Sequence, residues 1–309
     1  MKVLVTGADG FVGRRLVDAL LAAGHAVTGT VREGAQVPVG VRAMPLELRD
    51  AESVRRAASA DAFDAVTHLA AIASGAEALT DPVRAWEINA VGTARLVAEL
   101  GRRKQDDGLD PVVLLVSTAE VYDPAVRRPL VETDPVRPLS PYAASKLGAE
   151  LAALETSTRT GLRVMVARAF PHTGPGQDER FVAPAFARRL AGARRAGSRT
   201  VKVGNLDPVR DILDVRDVVG AYMALLERGT SGEVYNVASG RGISMEELFR
   251  RLAAIVGADV TPEVDPALLR PVDVPYLVGD AAKLRSATGW RPQVDLDTTL
   301  ADLVHAQAN

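Results

Sequence analysis

The sequence predicts an α/β protein: a doubly wound parallel sheet with a smaller lobe interleaved with it. Three observations predict this. Through the first half of the 309 residues, short and mostly apolar strand-like runs alternate with amphipathic helical stretches. The first strand-like run passes directly into a glycine-rich turn that opens a helix. Beyond Arg168 the alternation gives way to loops marked by Pro171, Gly174, Pro175 and Gly176.

The strand-like runs are Lys2–Thr6, Ala26–Val31, 65–69, 112–117 and 163–168. Most are continuously apolar, as parallel strands covered on both faces must be. Between them, helical periodicity covers 11–23, 52–58, 82–101 and Pro141–Thr160. After the proline-rich loop come a basic helix over 181–195, an irregular segment over 204–211, a helix at Val215–Arg228, a strand at Val234–Val237 and a helix at Met245–Val256. We therefore expect a nucleotide domain from residues 1–170 plus about 212–237, and a substrate lobe from about 171–211 plus 238–309. No internal repeat or low-complexity segment interrupts this order.

Composition narrows the function classes. The 47% hydrophobic content supports a sizeable core, and 25% charged residues is ordinary for a protein in water. A net charge of −2 gives no bulk electrostatic case for nucleic acid or an anionic membrane as partner. The absence of cysteine excludes disulfides, thiolate metal sites and a cysteine nucleophile, and no metal site is expected. The first residues run straight into a strand, and no apolar run approaches the length of a membrane span. A cytoplasmic protein is expected.

Gly7-Ala8-Asp9-Gly10-Phe11-Val12-Gly13 follows the first strand and opens a helix. Glycines let the backbone turn tightly and approach a pyrophosphate, and the helix start offers free N–H groups at the positive end of its dipole. The first gap is one residue longer than in the usual dinucleotide fingerprint. An acid ending the second strand would hold the ribose hydroxyls of NAD(H). Here that strand ends Thr30-Val31-Arg32-Glu33, with the acid one place late. Arg32 suits a 2′-phosphate, so NADP(H) is the preferred cofactor and NAD(H) the alternative; otherwise Arg32 is a solvated loop charge.

Ser140-Pro141-Tyr142-Ala143-Ala144-Ser145-Lys146 has the form of a helix start, with serine as cap and proline in the first turn. Tyr142 and Lys146 then share one face. A free phenol ionises near 10, and a neighbouring ammonium would bring it towards the range of acid–base work. Ser117 and Thr118 end the fifth strand, at the edge where such sheets bind ligands. Either hydroxyl could hold a carbonyl or hydroxyl oxygen; strand-end capping is the plainer reading. Glu120 is either an acid near the substrate or a surface carboxylate.

At these positions the chain resembles the extended short-chain dehydrogenase/reductases that process nucleotide sugars on a Rossmann-type domain. The resemblance rests on Thr6-Gly7-x-x-Gly10-Phe11-x-Gly13, His68-Leu69-Ala70-Ala71, Asn89-x-x-Gly92-Thr93, Ser117-Thr118 and Tyr142-x-x-x-Lys146, and it covers nearly the whole length. The segments 172–177, 203–211 and 269–275 resemble the GDP-sugar branch, which holds 4-keto reductases and 4,6-dehydratases; the reductases are nearer by motif. The resemblance implies cofactor contacts at Gly7, Gly10, Phe11, Val12, Gly13, Arg32, Leu48, Leu69, Ala70, Ala71, Tyr142 and Lys146. It implies substrate contacts at His172, Arg210 and Arg270, where arginines suit a diphosphate. It also implies a homodimer, for which 90–100 and 143–154, rich in alanine and leucine on more than one face, are the expected interface helices. Two positions depart from the pattern: Pro171 replaces a phosphate-binding asparagine, and Asp123 stands where glycine is common.

The expected activity is reduction of the 4-keto group of a nucleotide-linked, GDP-type 4-keto-6-deoxyhexose. Tyr142 would donate the proton, Ser117 and Thr118 would hold the oxygen, and Lys146 would tune Tyr142 and bind ribose. A 4,6-dehydratase or 4-epimerase would use the same cofactor. A dinucleotide sensor without turnover would leave the Tyr–Lys pair without a purpose.

Overall fold

The computed structural model describes residues 1–32, 34, 39–269 and 273–308. The chain runs β1 (Lys2–Thr6), α1 (Phe11–Ala22), β2 (Ala26–Val31), β3 (Arg42–Pro45), α2 (Ala51–Ala58), β4 (Ala65–His68), α3 (Gly75–Thr80), α4 (Pro82–Trp86), α5 (Gly92–Asp107) and β5 (Val112–Thr118). It continues with α6 (Pro141–Thr160), β6 (Arg163–Ala169), β7 (His172–Thr173), α7 (Val182–Ala196), β8 (Thr200–Val203), β9 (Val209–Asp211), β10 (Leu213–Asp214), α8 (Val215–Arg228) and β11 (Val234–Val237). The remainder is β12 (Gly242–Ser244), α9 (Met245–Val256), β13 (Thr261–Val264), β14 (Tyr276–Leu277), α10 (Ala282–Thr288) and α11 (Leu296–Ala308).

Seven strands form one parallel sheet in the order β11-β6-β5-β4-β1-β2-β3. The strand order reverses between β1 and β4, and ligands of open α/β sheets bind at the carboxyl ends there. Alternate residues of the central strands feed two cores. Val3, Val5, Leu114 and Met165 pack with Leu16 and Tyr222 under α1 and α8. Leu4, Val66, Leu115 and Val164 pack with Val54, Leu96 and Ala149 under α2, α5 and α6. A third cluster, including Phe186, Leu190, Phe249, Leu252 and Leu300, joins α7, α9 and α11.

Three segments differ from the sequence expectation. β3 has no apolar run to betray it: it is an edge strand whose residues stay partly or fully exposed. The helix expected over 82–101 is α4, a single π turn at Glu87–Val91, and α5, which ends on Gly108 in the left-handed conformation. The segment 204–211, expected to be irregular, contains β9, which pairs with β12 and β14. No helix of the described residues is long and apolar enough to cross a membrane.

Candidate active site

The glycine loop is packed from both sides. Gly7 has φ 70°, and a Cβ there would lie 3.0 Å from the Ala70 backbone. A Cβ on Gly13 would collide with the Gly7 carbonyl, so α1 can approach β1 only with glycine at that position. Gly10 caps α1 with no side-chain hydrogen bond. The first-turn amides of Phe11, Val12 and Gly13 are therefore not claimed by a capping side chain.

Beside the loop, a chain of buried hydrogen bonds fixes the strip from Leu69 to Ile72. The Thr6 hydroxyl accepts the Leu69 and Ala70 amides, both at 3.1 Å, and lies 2.7 Å from His68 Nδ1. His68 Nε2 lies 3.0 Å from the Thr93 hydroxyl, which itself donates to the Asn89 carbonyl at 2.6 Å. The Asn89 side chain clasps both the N–H and the C=O of Ile72, at 2.8 and 3.0 Å. It also donates to Ser145, whose hydroxyl donates to the Tyr142 carbonyl. The π turn thus couples the strip beside the glycine loop to the tyrosine helix. The motif Asn89-x-x-Gly92-Thr93 was visible in the sequence, but not this role. Leu48 is buried against Gly92, where a Cβ would come within 2.7 Å of the leucine.

Arg32 stands at the end of β2 with 89% of its side chain exposed, its Nε 3.4 Å from Asp9 Oδ2 of the glycine loop. Glu33 and Arg270 lie outside the described residues.

Ser140 caps α6 by accepting the Ala143 amide at 3.1 Å, and Pro141 opens the first turn. Burial and the Glu120 carboxylate push the Tyr142 phenol well above the ordinary 10, against the opposite pull of the nearby Thr118 hydroxyl. Lys146 does not produce the depressed phenol expected of it. Its ammonium donates to the Val116 carbonyl at 2.5 Å, and burial pulls it down to about 8 against the pull of Glu150. Ser117 is a correction too. Successive strand residues face opposite ways, and the Ser117 hydroxyl donates to Glu150 at 2.5 Å while Thr118 faces Tyr142. Of the two hydroxyls only that of Thr118 is turned to the phenol.

The loop after β6 returns to the same place. The His172 ring stacks on Phe11, and its Nδ1 donates to the Phe170 carbonyl at 3.0 Å. Burial lowers the His172 pKa, which leaves Nε2 of the neutral ring as an acceptor. Pro171 contributes its carbonyl to the Leu213 amide. Arg210 lies on β9, its guanidinium 2.8 Å from Asp273 Oδ1.

A sequence profile of the family described as GDP-mannose 4,6 dehydratase matches residues 4–303. The chain belongs to this family. It is 36% identical over 306 residues to the GDP-6-deoxy-D-mannose reductase of Pseudomonas aeruginosa, covering 97% of this chain and 94% of that one. The structure of RMD from Pseudomonas aeruginosa, complexed with NADPH, superposes with a TM-score of 0.84 at 35% identity, covering 99% and 98% of the two chains. The UDP-glucose 4-epimerase of Thermus thermophilus, in complex with NAD, superposes with a TM-score of 0.87 at 33% identity, covering 100% and 99%. Both nicotinamide cofactors therefore occur among relatives of this GDP-mannose 4,6 dehydratase family member.

The glycine cradle fits such a group. A Cβ on Gly10 would meet only the Gly7 carbonyl, at 3.2 Å, so the helix start is open on its outer side. An anion there would meet N–H groups and the positive end of a 12-residue helix.

Proposed function

We propose that this family member is an NAD(P)H-dependent reductase of the 4-keto group of a nucleotide-linked 4-keto-6-deoxyhexose, with GDP as the nucleotide. The observation that carries this reading is the state of Tyr142: beside the Thr118 hydroxyl and kept protonated by burial and by Glu120. Reduction of a ketone needs a proton donor at the developing alkoxide, and a neutral phenol is one. Hydride is the chemistry that a nicotinamide group supplies when bound. Gly7, Gly10, Phe11, Val12 and Gly13 would hold the pyrophosphate, Leu69, Ala70 and Ala71 would line the cofactor, and Lys146 would bind ribose. Leu48 would back the adenosine end from beneath, and Arg32 would meet a 2′-phosphate. Thr118 would hold the C4 oxygen while Tyr142 transfers its proton to it. His172, Arg210 and Arg270 would bind the sugar nucleotide. The working unit would be a homodimer, and the sheet with its flanking helices would be the nucleotide domain.

A second reading is 4,6-dehydration, favoured by the Glu120 carboxylate beside Tyr142, where it could remove a proton from the sugar. The two differ in cofactor accounting. Reduction consumes one NADPH per product, whereas dehydration returns its cofactor unchanged. We expect NADPH absorbance to fall on addition of GDP-4-keto-6-deoxymannose. Loss of water from GDP-mannose without added reductant would favour the second reading, and inertness towards both would refute the GDP assignment.

A further inference from the structure

We propose that Glu150, buried behind the reacting groups, is a positioning residue that holds the end of β5 in register and keeps Lys146 charged. This deepens the reading of Tyr142 and Lys146 above and rests on it.

Tyr142, Lys146 and Glu150 follow one another at single-turn spacing on α6. Glu150 is 2% exposed and Lys146 5%. A carboxylate so deep must be fully bonded. Glu150 accepts the Ser117 hydroxyl at 2.5 Å, Arg168 Nη2 at 2.8 Å and Arg168 Nε at 3.1 Å. Arg168 in turn lies 4.7 Å over the Tyr122 ring, whose hydroxyl donates to Asn236. Apolar residues of similar volume often serve a core as well as a buried ion pair does, so the pair's value is to be sought in what it holds.

What it holds is the middle residue of three. Val116 gives its carbonyl to Lys146, and the Thr118 hydroxyl lies beside the Tyr142 phenol. Ser117, between them, is bonded to Glu150. One carboxylate from the same stripe of α6 thus anchors the strand end between the two residues that meet the site residues.

Charge completes the argument. The titratable groups that interact with Lys146 are His68 from β4, neutral through burial, and Glu150 from α6; Arg168 lies beyond Glu150 and is paired with it. Glu150 is the carboxylate whose charge acts directly on the lysine, opposing the burial that draws off its proton.

Two variants test this. Ser117→Ala breaks the anchor and leaves every charge in place. We expect kcat to fall severalfold, with KM and the pH dependence of NADPH binding as in the parent. Glu150→Gln combined with Arg168→Met removes both charges, leaving no buried arginine unpaired. In that variant we expect the pH at which NADPH binding weakens, followed by fluorescence titration, to move down by about one unit. A structural role alone would leave kcat unchanged in Ser117→Ala, and that result overturns the proposal whether or not the double variant folds. A folded double variant with the parent's pH profile overturns it as well. A parent protein that binds no NADPH at any pH would overturn the reading of the site and this inference together.

Discussion

Phe11 and His172 lie ring over ring, their centroids 6.3 Å apart and their planes inclined by 5°. Phe11 opens α1 at the mouth of the glycine loop, and His172 opens β7 in the loop that departs from the sheet after β6. Arg15 reinforces the tie by donating to the Pro175 carbonyl at 2.8 Å. The regions proposed for cofactor and for sugar nucleotide are therefore one packed unit. An aromatic pair contributes about 0.5–1.5 kcal/mol beyond its burial. Phe11→Ala should accordingly weaken binding of cofactor and of sugar nucleotide together, each by about twofold to tenfold. Titration of the two ligands separately checks this; weakening of one alone would mean that the stack does not couple them.

Tyr142→Phe removes one hydroxyl and leaves the ring. The variant should fold, bind NADPH as the parent does, and lose about 10²–10⁴-fold in rate. Because burial and Glu120 hold the phenol above its ordinary range, ionisation of Tyr142 should not limit the free enzyme near neutral pH. Activity within a few-fold of the parent would remove Tyr142 from the chemistry.

The parts of this arrangement that the sequence displays are those set by local rules. Val3, Leu4 and Val5 announce a strand because both faces of β1 are covered, and Ser140-Pro141 announces the start of α6. Arg42-Ala43-Met44-Pro45 announces nothing, since an edge strand need not be apolar. Alternation requires Ser117 and Thr118 to face opposite ways but not which one faces Tyr142. That is decided by Glu150, 33 residues away from Ser117, and by Arg168, which pairs with it from another strand. The fate of Lys146 was hidden for a similar reason. Its spacing from Tyr142 is local, whereas its bond to the Val116 carbonyl depends on how α6 docks on β5.

His68 should make the fold acid-sensitive. The Thr6 hydroxyl accepts two amides, so its one proton goes to His68 Nδ1, and Nε2 carries the ring proton towards Thr93. Protonation would break this chain. Burial first, then the charge of Lys146, lower the pKa from 6.5 to about 3. Between those values the unfolded chain binds a proton that the folded one refuses, so stability falls as pH falls through that window. His172, lowered by its own burial, acts in the same direction. Urea midpoints measured at successive pH values should decline below about 6.5. The decline should be shallower in His68→Gln, although that variant starts from lower stability. Equal slopes would show that His68 is not the sensitive group.

Cofactor preference turns on Arg32 and its neighbour. NADPH should bind more tightly than NADH, and Arg32→Ala should remove about tenfold of that difference. Asp9 tests the same idea with the opposite sign. Its carboxylate lies beside the guanidinium, so Asp9→Asn should strengthen NADPH binding by freeing Arg32 and removing a like charge from the phosphate. Fluorescence titration of both cofactors against the three proteins decides it; parallel changes for NADH and NADPH would show that neither side chain meets the 2′-phosphate.

The proposed dimer has a more specific surface than the sequence indicated. Of the two helices expected to form it, α5 turns Arg95, Glu99 and Arg102 away from its buried stripe of Leu96, Val97 and Leu100. Val91 is exposed at 42% within the expected 90–100 segment, and exposed apolar side chains cluster on α4 and α6: Val83 at 69%, Trp86 at 43% and Leu151 at 63%. They form one patch, because Trp86 lies against Gly148, where a Cβ would come within 2.7 Å of its ring, and Gly148 is one turn from Leu151. A tryptophan held in place by a glycine on the next helix is already ordered, so little side-chain freedom is left to lose when a second copy covers it. Charge placed at the centre of such a patch must be desolvated on association. Light scattering should therefore report a dimer for the parent at micromolar concentration and a folded monomer for Leu151→Glu. A parent that is monomeric, or a dimer indifferent to Leu151→Glu, would move the interface elsewhere or remove it.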